Sequence, residues 1–378
     1  GRLQKTSWDK VLKLLISKFK SFSSEEVAGL VGDLADLEMI YSFKSFFEKC
    51  LGSKNLECRQ NRIYINPSER MNYIFNSSIN GIEESDMILL VGTNPRLEAT
   101  MLNARIRKSF VKNKIEIFSI GNPGDLTYPY KLLGSDTVIL KEIIDGNHEV
   151  SEKLKKAKKP IVIIGESALK GEKGEYIFES IKKFLINNNF INNNWNALNI
   201  LVQNSSKVGA IDLGVYKIID KDNFPILNKI SENQFKLIYL LGADDLEINK
   251  KDEFIIYQGS HGDKSAQIAD VILPGSTYTE KNGHYINLEG RIQKAFKATY
   301  PPGDSKEDWL IIKELSEHLG KNININSQKE LEKEMLNSKS IFLKNGEIIK
   351  SKIDFDNNKE ISFVNSKVDI DFVDYYSR

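Results

Sequence analysis

Three short runs, MILLVG before Thr93, IVIIGE around Gly165 and LIYLLGAD before Asp245, are apolar throughout and reach glycine at or near their ends. A strand with one wet face alternates apolar and polar residues, so unbroken hydrophobicity implies strands covered on both faces. That is the habit of a parallel sheet between layers of helices. Helical stretches are expected after each run, near Leu97, near Glu175 and around Ser265. The fold class implied is α/β, with interleaved Rossmann-like lobes, and strands are predicted at Met87 to Val91, Ile161 to Ile164, Leu237 to Leu241 and Phe254 to Tyr257. A chain of 378 residues exceeds the size at which one core usually keeps growing. The predicted regions are 1–150, which can be discontinuous and take in part of 235–300, then 151–320, then an extension over 321–378.

Around this frame the helical spacing is legible. Ser7 is placed to cap a helix with Trp8, Val11, Leu12, Leu15 and Phe19 on one face, and Leu37, Ile40, Phe43, Phe47 and Leu51 recur at the same interval. NNNFINNNW, from Asn187 to Trp195, reads as a loop leading into LNILV, a further strand. Ser305 is expected to cap a helix carrying Trp309, Ile312, Leu315 and Leu319, with Asp308 as a short capping-box acid and Gly320 as its end. Beyond Lys321, EISFV and DIDFV suggest strands or an extended arm.

Composition narrows the function classes. Lys and Arg total 53 against 52 Asp and Glu, a balance that offers no electrostatic case for nucleic acid or an anionic membrane. No apolar stretch reaches the ~18 residues of a spanning helix, and the opening GRLQKTSWDK has neither a signal-peptide core nor an initiator methionine, which suits a piece of a longer chain or a processed terminus equally. Cys50 and Cys58 are the only cysteines. Two thiols cannot supply the four thiolates of a conventional iron-sulfur cluster, and free thiols in a reducing compartment are expected.

The polar residues give candidates without a recognisable reaction. Gly92, Asn94 and Pro95 suit a tight turn and a helix start at a strand end, where free N–H groups can hold phosphate. Neither GxGxxG nor GxxxxGK[ST] is present, and GLVG at Gly29 to Gly32 is too little for a nucleotide site. The basic cluster Arg96, Arg105, Arg107 and Lys108 suits either a phosphate or salt bridges to an adjoining subunit. Of His148, His261, His284 and His318, none forms HExxH or a close pair; His261, between a strand and a glycine, is the best single polar candidate. In ADVILPGSTYTEKNGHYINLEGRIQ a strand runs into Pro274 and Gly275, and a turn carries Glu280, Lys281 and Gly283 toward Glu289, Gly290 and Arg291. Glu280, His284, Glu289 and Arg291 could line a cleft with His261. No GxSxG elbow appears.

LLVGTNPRLEATMLNARIRK, FIIYQGSHGD, the ADVILPG segment and PPGDSKEDWLIIKELSEHLG together resemble the carboxy-terminal region of the large iron-sulfur (75-kilodalton) subunit family of NADH:quinone oxidoreductase, respiratory complex I. The likeness runs in order from Trp8 to Gly320. It implies α/β lobes descended from a molybdopterin enzyme, a catalytically silent region without molybdenum, and a structural and assembly role in the peripheral arm. On this resemblance, the whole subunit's [4Fe-4S] and [2Fe-2S] clusters belong to an amino-terminal region absent here. Implied partners are other peripheral-arm subunits, including the flavin-bearing NADH-binding subunit, with no nucleic acid and no membrane insertion. The implied location is the cytoplasmic side of a bacterial inner membrane or the matrix side of a mitochondrial one. Pro274, Gly275, Thr279, Glu280, Asn287, Glu289, Gly290 and Arg291 match a segment that lies near the cofactor in active molybdopterin enzymes. The match is positional, and no residue is assigned a catalytic, cofactor-binding or metal-ligating role. The rival reading is an active molybdenum or tungsten bis-pterin oxidoreductase such as a formate dehydrogenase, with Arg96, His261, Glu280 and Arg291 the groups to test first.

Overall fold

The structure, a computed structural model, describes residues 3–219, 222–244, 246–262, 264–343 and 361–370. Its strands, in chain order, are β1 Val27–Val31, β2 Leu56–Glu57, β3 Met87–Val91, β4 Glu116–Ile120, β5 Lys131–Gly134, β6 Pro160–Gly165, β7 Leu198–Leu201, β8 Leu237–Leu241, β9 Phe254–Gly259, β10 Val271–Pro274, β11 Gly283–Ile286 and β12 Ile292–Ala295. They form two parallel five-stranded sheets and one antiparallel hairpin, β11 with β12. The α/β reading holds. The four strands expected from their apolar runs are all present and all paired in parallel.

Two compact units follow the sheets. Unit 1 draws on Gly1–Asn61, Asn204–Asn287 and Arg291–Glu347, and unit 2 on Arg62–Gln203, Leu288–Gly290 and Ile348–Arg378. These differ from the expected ranges 1–150 and 151–320. The sheet of unit 2 takes strands from both sides of residue 150, each unit is assembled from three separate segments, and in unit 1 β1 and β2 join strands from β8 onward.

In unit 1 the strand order is β10-β9-β8-β1-β2. One face is covered by the aromatic cluster of Phe19, Phe43, Phe46, Phe47 and Tyr239, whose ring centroids lie 4.7–6.4 Å apart. Phe19 comes from the helix Trp8–Ser21, and the other phenylalanines from the helix Leu37–Ser45 and the π-helical turn Phe46–Leu51 that continues it. On the other face Ile226, Leu227 and Ile230 of the helix Pro225–Ser231 pack with Ala28, Leu30, Ile238 and Leu240. Full burial of each such side chain stabilises by roughly 1.5–3 kcal/mol relative to exposure.

In unit 2 the order is β5-β4-β3-β6-β7. Leu102 and Ile106 of the helix Thr100–Asn113 pack with Ile88, Leu90, Ile161 and Ile163. Tyr176, Phe178 and Ile181 of the helix Lys173–Asn187 are buried. Asn94 caps the short helix Pro95–Glu98, with Pro95 in its first turn, as the sequence implied.

Each order contains one point where the winding reverses: β1 beside β8 in unit 1, and β3 beside β6 in unit 2. Ligands of open α/β sheets bind outside the carboxyl ends of the strands at such a point. Both points are built alike. Gly242 after β8 and Gly92 after β3 turn the chain at φ +58° and +56°, a left-handed conformation that favours glycine. Their carbonyls press on the glycines ending the neighbouring strands, since a Cβ on Gly32 would lie 1.5 Å from Gly242 O and one on Gly165 2.3 Å from Gly92 O.

Two local expectations are corrected. Ser305 does not cap the following helix. That helix spans Asp308–His318 after Glu307 with no side-chain cap, and the Ser305 hydroxyl turns instead to Pro302 O. Residues 321–343, expected to be extended, include the helix Gln328–Ser338, capped where Ser327 Oγ accepts from Glu330 N at 3.2 Å. Most of the DIDFV strand, and residues 344–360, lie outside the described residues.

Candidate functional site

The strand β10 ends at Pro274, and the chain then turns on itself: Thr277 N donates to Glu280 Oε2 at 3.0 Å, while Ala298 N and Thr299 N donate to Thr279 O. Glu280 is therefore spent on its own turn. The next side chain, Lys281, points inward and is 5% exposed. Its Nζ lies 2.9 Å from Asp36 Oδ2 and 2.7 Å from Asp308 Oδ2, two carboxylates that are 1% exposed.

Each acid is held from a different element. Asp36 Oδ1 caps the helix Leu37–Ser45 by accepting from Met39 N at 2.8 Å. Asp308 opens the helix Asp308–His318, and its Oδ1 accepts from Gln258 Nε2 at 3.0 Å, while Tyr239 OH donates to Gln258 Oε1 at 2.6 Å. Both carboxylates thus sit at helix N-termini, where the backbone dipole favours negative charge. Two glycines make room for them. A Cβ on Gly275 would lie 2.3 Å from Asp308 Oδ1, and one on Gly283 would lie 2.8 Å from Asp36 Cβ.

A second polar leg starts on the same helix. Glu38 accepts from His284 N at 2.8 Å and meets His284 Nδ1 at 2.6 Å, and His284 Nε2 lies 3.7 Å from Glu332, which pairs with Lys294 at 2.6 Å. A carboxylate facing Nδ1 places the imidazole proton there.

The charges set the protonation. Burial pushes the Asp36 carboxyl up to about 6, with the Glu38 charge adding to the rise and Lys281 opposing it. For Lys281, burial alone would depress the ammonium, but the charges of Asp308 and Asp36 outweigh it and hold the group above its ordinary value. Burial, reinforced by Asp36, also raises the Tyr285 hydroxyl. A lysine kept charged between two carboxylates cannot act as a nucleophile, which requires the free amine.

The reversal point of unit 2 is also acidic. Thr93 Oγ1 donates to Glu98 Oε2, which accepts from Asn94 N at 3.2 Å as well. Burial, with the Glu166 charge adding, pushes Glu98 up to about 7. Glu166 is itself buried and accepts from Gln203 N at 3.2 Å.

The cleft candidates His261, Glu280, His284 and Glu289 each meet a partner of their own. His261 is exposed, with Nδ1 3.0 Å from the neighbouring Ser260 Oγ and its carbonyl taken by Tyr257 OH. His284 is committed to Glu38. Glu289 lies in unit 2, where its Oε1 accepts from Ile79 N at 2.7 Å, and Arg291 N donates to Asn287 Oδ1. Of the basic cluster, Arg96 pairs with Asp125, and Arg105 and Lys108 both pair with Glu83. Sequence reasoning placed Lys281 in the turn but assigned it no chemistry, and it did not single out Asp36 or Glu38. One signal was available: a lysine between TE and NG in the turn that follows β10.

The model of the molybdopterin oxidoreductase family matches residues 1–318. The chain belongs to the molybdopterin oxidoreductase family. Within it, the NADH-ubiquinone oxidoreductase 75 kDa subunit of Reclinomonas americana is 40% identical over 372 residues, 95% of this chain and 53% of that protein. An NADH-quinone oxidoreductase subunit of Rickettsia bellii is 38% identical over 353 residues, covering 93% and 50%. The mitochondrial NADH-ubiquinone oxidoreductase 78 kDa subunit of Candida albicans is 41% identical over 326 residues, covering 84% and 43%. The chain spans about half the length of these curated relatives, and the resemblance to the complex I large subunit holds over most of the chain. Solved structures share the fold at 12% identity. A chain of the formyltransferase/hydrolase complex from Methylorubrum extorquens, in complex with methylofuran, gives a TM-score of 0.56 over 83% of this chain and 96% of its own, and acetylene hydratase from Pelobacter acetylenicus gives 0.50 over 84% and 59%.

The family name implies a molybdopterin group, whose diphosphate the carboxylates at the two reversal points oppose. A diphosphate needs N–H groups or unpaired cations at the strand ends. Here the reversal point of unit 2 presents Glu98 and Glu166, and in unit 1 the chain beyond β1 carries Asp36, whose lysine is already shared with Asp308. The thiols fit a metal no better. Cys50 and Cys58 are free and buried, and burial, with the Glu57 charge adding, pushes Cys58 up to about 12, far from the thiolate a metal binds.

Proposed function

We propose that this chain is a structural and assembly region of the peripheral arm of respiratory complex I, in a subunit whose iron-sulfur clusters carry electrons from NADH toward quinone through residues outside these 378. The observation that carries the reading is Lys281 locked between Asp36 and Asp308 in a member of a cofactor family: the segment that resembles a cofactor loop is used to tie two helices to a sheet. The curated relatives support it by name, and two buried thiols are too few for a cluster. Partners in this reading are the other peripheral-arm subunits, including the flavin-bearing one. The location is the cytoplasmic or matrix side of the energy-conserving membrane. Among the described residues no helix is long and apolar enough to cross a membrane.

The test is assembly of the intact complex from a subunit lacking this region. Loss of the assembled peripheral arm is expected, and normal assembly with wild-type stability would overturn the reading. Elemental analysis of the natively purified protein separates the rival: stoichiometric molybdenum or tungsten with extractable pterin would establish an active bis-pterin enzyme.

A further inference from the structure

Residues 361–370, ISFVNSKVDI, follow an intervening stretch of residues 344–360 and lie against unit 2 as an extended segment. They are held mainly by backbone. Thr137 N donates to Ser366 O at 2.9 Å and Val368 N to Ser135 O at 3.0 Å, and Asp136 and Lys367 form an antiparallel bridge. The Thr137 hydroxyl serves both directions, donating to Val364 O at 2.6 Å and accepting from Ser366 N at 2.9 Å. Lys173 Nζ donates to Lys367 O at 2.6 Å. Two side chains add anchors: Val368 is 1% exposed, and Phe363 meets the edge of Tyr176 with ring centroids 5.3 Å apart. A Cβ on Gly121 would come within 2.6 Å of Val368 O, so the groove floor is cut to backbone width there.

This is how a sheet-edge groove receives a separate extended peptide: main-chain bonds supply affinity and alternate pockets supply specificity. Segments bound in this way bury little. Apart from Val368 the ten residues are exposed or half-buried, and the core of unit 2 is built from Ile88, Leu90, Ile106, Ile161 and their neighbours without them. We propose that residues 135–137, with Gly121, Lys173 and Tyr176, form a peptide-binding groove that the chain's own 361–370 segment fills as a releasable latch. The groove takes an extended segment with an aromatic residue five positions before a buried valine. This goes beyond the assembly role and does not depend on it.

The test is hydrogen exchange on the full chain. In the wild type the Thr137 and Val368 amides are expected to be protected. In Val368→Asp both should lose protection by at least about tenfold, because burying a charge in place of an apolar side chain is strongly unfavourable, while Ile163 in β6 stays protected. A synthetic peptide of residues 361–370 added to that variant should restore protection at Thr137, and the same peptide carrying Val368→Asp should not. Thr137→Val, which removes both hydroxyl bonds and keeps the shape, should weaken the latch in the same direction. Equal exchange at Thr137 in wild type and both variants would overturn the proposal. So would loss of protection at Ile163 along with Thr137, or failure of the wild-type peptide at millimolar concentration to restore Thr137.

Discussion

The Lys281 ammonium lies 2.7 Å from Asp308 Oδ2, and each side chain is almost out of water. Joined to Asp36 at 2.9 Å, the lysine balances two carboxylates held by different helices. Removing one partner of a buried pair leaves an uncompensated charge and costs about 3–5 kcal/mol. Lys281→Met should destabilise the chain by that order in denaturant melts at pH 8. The loss should shrink at pH 5, where the stranded acids can take up protons. Equal midpoints for the variant and wild type at pH 8 would show that the ion pair contributes no net stability.

Asp36 gives the pair a pH signature. Its folded pKa of about 6 is raised above the ordinary 3.8, first by burial. The folded state therefore binds this proton more tightly, and the contribution is fully present below pH 3.8 and lost as pH rises to about 6. Asp36→Asn keeps an oxygen for Met39 N but cannot titrate. Relative to wild type, the variant should gain stability steadily from pH 4 to 6 and run parallel above pH 6.5. Denaturant midpoints across that range decide it, and a constant offset would mean that Asp36 titrates normally.

Gly275 and Gly283 are required by the same pair. Forcing a methyl into filled space costs about 1–3 kcal/mol. Gly275→Ala, whose Cβ would stand 2.3 Å from Asp308 Oδ1, should lower the melting midpoint by that order. Gly262→Ala is the control, since its nearest contact would be 3.6 Å away. Similar small effects for the two would show that Asp308 moves aside freely.

These relationships explain which parts of the molecule were legible. The strands at Met87–Val91 and Leu237–Leu241 could be read because residues buried on both faces must all be apolar. The aromatic spacing of Phe43 and Phe47 fixed a buried helical face for a similarly local reason. Asp308 departs from its expected capping-box role because capping is a local rule, whereas its carboxylate is claimed by a lysine 27 residues earlier. Nothing in the spacing of His261, Glu280 and Glu289 says that one is exposed, one closes its own turn and one belongs to the other unit. The pairing of Lys281 with Asp36 joins distant parts of the sequence, which the parallel pairing of β1 with β8 and the bonds of Glu38 to His284 help to bring together.

The basic helix now divides. Arg105 shares Glu83 with Lys108, while Arg107 is exposed and forms no ion pair or hydrogen bond among the described residues. Exposed pairs contribute about 0–1 kcal/mol. Arg105→Glu should lower the melting midpoint slightly by setting like charges together beside Glu83, and Arg107→Glu should leave the midpoint unchanged. A weakened association with neighbouring subunits for Arg107→Glu alone would assign that residue to an interface. Unchanged association would confine the cluster to the local fold.

Cys58 offers a probe of the other edge of the unit 1 sheet. It follows β2, its N–H donates to Glu57 Oε1 at 3.0 Å, and the same carboxylate holds Arg59 through bonds of 2.8 and 2.7 Å. Arg59 Nη2 in turn donates to Asn223 O at 2.7 Å and to Lys217 O at 3.1 Å, with its guanidinium 5.0 Å from the Phe224 ring centre. Only a thiolate alkylates, and a thiol raised to about 12 is almost wholly protonated at pH 8. Iodoacetamide should therefore label Cys58 in the native chain only through local opening, at a rate set by the stability of this edge. Arg59→Ala strands the Glu57 charge and unties residues 217 and 223, so it should speed Cys58 labelling by at least about tenfold, a loss of about 1.4 kcal/mol or more in the opening free energy. Labelling in the wild type as fast as in the denatured chain would refute the burial of Cys58. Identical slow rates in both chains would show that the Arg59 clamp does not control this edge.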